Sequence, residues 1–364
     1  MVIFNDYQIK IDINESKDII SNQIFMGFRI NSLYVNNTYY CELYLFEEHI
    51  RFLCGSGINV GDNVKVTITI EDKEYVYDLF VFRKKFYKSG INVILFPKFY
   101  YDLFIKKNTI IEYNTAMNII EKIIKNLNLK SDIEKSFLND KKYYYFIEMT
   151  YIDMIRALID NIKGNNANYC FFIDKDNIFR LYTIKKIMNK KSLSSFSDTA
   201  LMVFQGEDLK LNVNRKNGIG CKYCYFDWSS GEFKVNKMML KDFNLDNETV
   251  NKKFYIPDII KDIEYNNVVN CNTIGIDKYY YTENLIKNKI EYDLLRKNYF
   301  SLFLDFNTIS NFNINPLDIV DIDLVMTEVG FNGKWIVYNI VDSFEENTLN
   351  NKITVTNPYY IEEK

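Results

Sequence analysis

The chain has 364 residues, 45 of them basic and 48 acidic, for a net charge of −3. No long basic block occurs, and 140–142 and 184–191 are only mildly basic, so the basic stripe of a sequence-independent nucleic-acid binder is missing. With 48% hydrophobic residues but only 13 Gly and 4 Pro, the composition excludes collagen-like and disordered classes, and the length calls for two to four domains.

In chain order, the first residues (Met-Val-Ile-Phe-Asn-Asp-Tyr-Gln) lack a basic segment followed by an apolar run, so no signal peptide is expected. No stretch approaches the 18 or so uninterrupted apolar residues of a membrane helix. Residues 1–100 read as all-β. Residues 64–70 alternate with period two, 71–74 form a polar turn, 75–83 return, and Lys88-Ser-Gly90 turns into a strand over 91–96. Gly55, Gly57 and Gly61 cluster where a barrel corner or bulge needs them.

Residues 110–165 change period. Asn114 or Thr115 can cap a helix with an apolar stripe at Ala116, Ile119, Ile120, Ile123, Ile124 and Leu127. Thr150 and Asp153 read as a capping box ahead of a second stripe, Met154, Ile155, Leu158, Ile159 and Ile162, with Gly164 as its C-cap. A hairpin follows, 169–173 and 178–182, turning at 174–177. Residues 200–275 look β again, with turns at Asn217-Gly218 and Ser229-Ser-Gly231. A third helix is predicted over 281–298, and 300–358 return to strands. The predicted fold class is mainly β with an α/β insertion (α+β). Boundaries are expected at 1–105, 106–200, 201–280 and 281–364.

The two ends share a pattern. Residues 58–66 (I-N-V-G-D-N-V-K-V) and 314–322 (I-N-P-L-D-I-V-D-I) both read I-N-x-x-D-x-V-x-[VI]. By residue character, 75–81 answers to 335–341 and 91–97 to 353–358. That places Asp62 19 positions before Val81, and Asp318 23 before Val341. One chain thus carries two copies of a small β module.

Candidate chemistry is sparse. His49 is the only histidine, which rules out most His-based triads and sites needing two His. Cys221 and Cys224 form a single C-x-x-C, but 219–228 read as a strand, which sends the two to opposite faces. The six cysteines are scattered and read as free thiols. The run from Asp174 to Ile178 lacks the calcium-loop pattern and is a hairpin turn. No phosphate-binding, dinucleotide-binding or nucleophile-elbow motif occurs, so no cofactor and no catalytic residue is expected. That shifts the weight from enzyme to assembly protein.

On these residues the chain resembles the baseplate hub proteins of contractile phage tails and phage-tail-like bacteriocins, whose fold also opens the type VI secretion spike protein. The resemblance rests on four places: Gly61-Asp62-x-Val64-x-Val66 with its hairpin; the helix of 150–155 leading into 169–181; 314–320; and the terminal 333–341 and 353–356. Family members usually carry a glycine where this chain has Leu317, which predicts a less tight second corner. The resemblance implies a homotrimer with two tube-type β-barrels per chain, forming a pseudo-hexameric ring. The α/β segment would lie outside or face the membrane. Implied partners are the tail tube or a tube initiator, a central spike on a separate polypeptide, the tape measure and baseplate wedge proteins. DNA would only pass through an uncharged to acidic lumen, and no stable membrane insertion is implied. The implied location is the tip of a virion or tail-like particle assembled in host cytoplasm. Residues carried over as ring-forming are Asp62, Val64, Val66, Tyr75, Tyr77, Asp318, Val320, Trp335 and Val337. Rival readings are a tail-associated peptidoglycan hydrolase using Asp and Glu, and a peripheral receptor-binding protein.

Overall fold

The structure, a computed structural model, describes residues 2–3, 7–14, 24–46, 58–70, 72–87, 90–134, 141–161, 169–197, 220–227, 231–239, 271–273, 302–309, 312–323, 333–345 and 348–357. The predicted helix over 281–298, His49, Gly55, Gly57 and Asn217-Gly218 lie outside them.

The first module is built from β1 (Val2–Ile3), β2 (Gln8–Ile13), β3 (Phe25–Leu33), β4 (Thr38–Phe46), β5 (Asn63–Ile70), β6 (Lys73–Tyr87) and β7 (Gly90–Pro97). The period-two expectation holds here: Val64, Val66 and Ile68 of β5 are buried with Ile9, Ile11 and Ile13 of β2. Intervening residues such as Lys65 face out, as alternation on a half-buried strand requires. The return strand is longer than expected and continues to Tyr87.

The α/β segment adds a π-type turn (Tyr101–Ile105), β8 (Lys107–Asn114), α1 (Ala116–Asn126), β9 (Lys130–Ile133), β10 (Lys142–Thr150), α2 (Tyr151–Asn161), β11 (Tyr169–Ile173), β12 (Ile178–Thr183), α3 (Ile184–Met188) and β13 (Ser194–Ser197). Both predicted helices are present. The Thr115 hydroxyl caps α1 by accepting from the Asn118 N–H at 3.2 Å. Thr150 accepts from the Asp153 N–H at 3.3 Å while its hydroxyl donates to the Asp153 carboxylate at 2.6 Å. These bonds satisfy N–H groups that a helix start leaves without partners. Sequence reasoning missed the antiparallel β8–β10 ribbon, and β9, which runs parallel to β12.

Beyond it come β14 (Gly220–Asp227), β15 (Glu232–Met239), β16 (Cys271–Thr273), β17 (Leu302–Ile309), β18 (Ile319–Asp323), β19 (Gly333–Glu345) and β20 (Thr348–Asn357). The first three form their own sheet. Strands β17, β20, β19 and β18 form the second module, and β13 joins it parallel to β18. The modules are joined edge to edge, because β3 pairs antiparallel with residues 339–345 of β19. Among the described residues, twelve strands therefore make one continuous sheet. The architecture is mainly β with an α/β insertion. One core runs from the first module into α1 and α2, a second lies where the β11–β12 hairpin and α3 cover the second module, and a third fills that module.

Candidate functional site

Each module contains one corner, and the two corners match bond for bond. In the first, the Gly61 N–H donates to the Val81 carbonyl at 2.8 Å and the Val81 N–H donates to the Asp62 carbonyl at 2.9 Å. In the second, Leu317 donates to Val337 and Val337 to Asp318, both at 2.9 Å. The Asp62 carboxylate accepts from the Asn59 N–H at 2.6 Å, and the Asp318 carboxylate from the Asn315 N–H at 2.9 Å. An Asp that ties its own loop in this way fixes a tight turn. The I-N-x-x-D pattern is therefore the signature of a hydrogen-bonded corner.

The strands fix the alignment of the copies. Val64 pairs with Leu79, and Val320 with Trp335. A β-bulge follows Val81 in β6, and another follows Val337 in β19. Val81 is thus the counterpart of Val337, not of Val341, and both Asp-to-Val spacings are 19 positions. Leu95 likewise answers to Val355, since each pairs with its module's valine. The expected alignments were off by four and two residues. An even slip preserves the inward and outward faces of a strand, so residue character alone could not detect it.

The second corner is as tight as the first, against the expectation from Leu317. The φ angles are +93° at Gly61 and 71° at Leu317, so both are left-handed. At Gly61 a Cβ would meet nothing within 4 Å, and neighbouring Val60 is 64% exposed. Leu317 is fully buried in a cluster with Phe172, Tyr182, Ile184, Ile187 and Ile336. Left-handed backbone costs a non-glycine residue about 1–2 kcal/mol. Burying a leucine side chain returns about 1.5–3 kcal/mol, which explains how a leucine occupies a glycine's place.

The covering hairpin also brings charge. Arg180 donates to Asp174 at 2.6 Å and to Asp318 at 2.8 Å, linking the hairpin turn to the corner. The Lys190 ammonium donates to the Leu317 carbonyl at 3.3 Å and stands over the Tyr182 ring at 3.8 Å. Burial lowers Lys190 to about 8, partly opposed by Asp318. Burial raises Asp318, opposed chiefly by Arg180.

A second buried pair ties the hairpin to the seam between the modules. Lys175 donates to Asp342 of β19 at 2.8 Å, with both side chains at 2% exposure or less. Asp342 also accepts from the Asn351 side-chain amide at 2.6 Å. Burial pushes Asp342 up, opposed by Lys175. The Lys175 ammonium also lies 3.8 Å from the Phe312 ring centre. Phe312 touches Tyr75 of the first module (4.6 Å) and Phe344 of the second (5.6 Å) edge-on, so three parts of the chain meet on one ring. Edge-on ring pairs of this kind add about 0.5–1.5 kcal/mol beyond area burial.

The motif residues fall into three groups. Val64, Val66, Tyr77, Val320, Trp335 and Val337 are buried inside their modules. Asp62 and Asp318 make the corners. Tyr75 lies at the contact between modules, where its hydroxyl donates to the Asn313 side chain at 3.2 Å. Sequence reasoning missed Lys175, Arg180, Lys190, Phe312 and Asp342. A lysine and an arginine flanking the Asp174 turn of an otherwise apolar hairpin were the available signal. Cys221 and Cys224 fall within strand β14. Among the described residues Cys41 and Cys170 are buried and outside any disulfide, and no group of His, Cys, Asp and Glu is placed to hold a metal ion.

No family model and no curated protein matches the sequence. Solved structures do match. A 43 kDa tail protein of prophage MuSo2 from Shewanella oneidensis superimposes with a TM-score of 0.61 over 97% of this chain and 98% of its own, at 10% identity. A tail protein from Neisseria meningitidis MC58 gives 0.60 over 96% of both chains at 7% identity. The fold is that of phage tail proteins. Prophage tail protein gp18 from Listeria monocytogenes shares it more distantly, with a TM-score of 0.50 over 97% of this chain and 94% of its own, at 12% identity.

Proposed function

We propose that this chain is the structural hub of a phage tail or tail-like injection particle. Three copies form a ring whose six modules match a six-fold tube above to a three-fold spike below. The observation that carries this reading is the duplicated corner. Two modules with the same corner bonds and bulge lie in one continuous sheet, joined by β3 and β19. A chain with two equivalent modules lets three-fold symmetry imitate six-fold symmetry. The likeness to tail proteins along nearly the whole chain supports a role in a tail or baseplate.

In this reading residues 1–105 and 281–364 are the ring-forming units, 106–200 the α/β insertion and 201–280 a further β region. The partners are the tail tube or its initiator, the central spike, the tape measure and the baseplate wedges, with DNA only in transit. The role is mechanical and not enzymatic, and the place is the particle tip. Imaging the end of the assembled particle tests this: three copies in one ring at the tube–spike junction are expected. Six or more copies at the rim overturn it in favour of a receptor binder. Clear peptidoglycan hydrolysis by the purified protein overturns it in favour of an enzyme.

A further inference from the structure

The β8–β10 ribbon has two unlike faces. On one, Tyr144 and Phe146 are buried in the core that includes α1 and α2. On the other, Ile111, Tyr113, Tyr143, Tyr145 and Ile147 are 56–67% exposed. The pairing register gathers these side chains, since Tyr143 stands opposite Tyr113 and Tyr145 opposite Ile111. The Tyr143 ring lies 4.7 Å from that of Tyr113 and 6.2 Å from that of Tyr145, and the planes of Tyr143 and Tyr145 differ by only 20°. An antiparallel strand with one buried face normally turns polar side chains to water. A contiguous apolar and aromatic patch in their place marks a binding surface.

The chemistry of the patch narrows what it binds. The hydroxyls of Tyr113, Tyr143 and Tyr145 have no hydrogen-bond partner among the described residues. The face carries no charge between its ends. Glu112 is taken up by Lys122 of α1, and charge returns only at Lys141 on one side and at Lys107 and Glu148 on the other. Single-stranded nucleic acid also stacks on such rings but needs cations alongside them. A lipid surface calls for apolar tips within a basic rim. Neither matches rings that end in free hydroxyls on an uncharged face. The match is a neutral ligand with apolar faces edged by hydroxyls, which is the character of a pyranose ring. Its C–H face lies on an aromatic ring while its hydroxyls reach the phenols. The two isoleucines narrow the class further. The hydroxyls of a plain hexose set against Ile111 and Ile147 lose water without a replacement bond, whereas the methyl of an acetamido group packs there.

We propose that the exposed face of β8–β10 binds a chain of β-linked N-acetylhexosamines, with Tyr113, Tyr143 and Tyr145 as the stacking rings and Ile111 and Ile147 against the acetamido methyls. A β-linked chain is extended and ribbon-like, so successive sugars meet successive side chains along β10. The proposal goes beyond the hub reading and does not rest on it, because a glycan contact and a place in a ring are separate properties of one chain.

Calorimetric titration of the intact chain with hexa-N-acetylchitohexaose tests it, and saturable binding is expected. Cellohexaose, which has the same linkage without the acetamido groups, should bind roughly ten-fold more weakly or worse. Tyr143→Ala and Tyr145→Ala should each weaken binding about ten-fold. Their melting temperatures should match the parent's, because both rings are exposed. Absence of binding to the acetylated oligosaccharide overturns the proposal. So does binding that both alanine variants retain, equal binding of cellohexaose, or binding only to an oligothymidylate or to phosphatidylcholine vesicles. None of these results bears on the number of copies at the particle tip, which tests the hub reading separately.

Discussion

Gly61 and Leu317 occupy the same point in two copies of one corner. Each donates its N–H to the valine twenty residues on, and each has a left-handed backbone. What differs is the surroundings, open beside Gly61 and packed around Leu317. Leu317→Gly removes the backbone strain but empties a packed site, where large-to-small changes cost about 2–5 kcal/mol. The expected net loss is about 2 kcal/mol. Gly61→Leu gains no packing and should cost about 1–2 kcal/mol in strain alone. Urea unfolding of both variants checks this, and a stabilised Leu317→Gly contradicts it.

The two corner aspartates should differ in the same way. Asp62 is half-exposed and supports only its own loop, so Asp62→Ala should cost about 1 kcal/mol. Asp318 is buried against Arg180, and its removal leaves a guanidinium without its corner partner. Asp318→Ala should cost about 3–5 kcal/mol. Equal losses in thermal unfolding would show that the covering hairpin does not distinguish the corners.

Lys175 and Asp342 form a pair that neither member can leave singly. Lys175→Met strands a buried carboxylate and should cost about 3–5 kcal/mol. Adding Asp342→Asn removes that charge while keeping an acceptor for Asn351, so most of the loss should return. A double-mutant cycle on unfolding free energy measures this, and additive losses would refute the coupling.

Lys190 gives a pH signature. Burial holds its folded pKa at about 8, below the value of 10.5 in the unfolded chain. Between those values the unfolded chain binds more protons, so the contribution of Lys190 to stability rises as pH rises from 8 towards 10.5. The melting temperature of the parent relative to Lys190→Met should therefore increase between pH 7.5 and pH 10. Groups common to both proteins cancel in the comparison. A constant difference across that range would count against a buried ammonium.

Local structure and the duplication were legible in the order of residues along the chain. Alternation along Val64, Val66 and Ile68 specified a strand with one buried face. Thr115 and Thr150 marked helix starts whose hydroxyl bonds are present. The I-N-x-x-D pattern located both corners, because the carboxylate and the amide it ties are three residues apart. Tertiary structure decided what depends on residues far apart in the chain. It set the register of the copies, since a strand's period of two hides an even slip until partners such as Val64–Leu79 and Val320–Trp335 are known. It also decided why a leucine can stand where a glycine was expected. A left-handed residue is read as a glycine position from local sterics, but the burial that offsets the strain at Leu317 comes from Phe172, Tyr182 and Ile187, more than a hundred residues away.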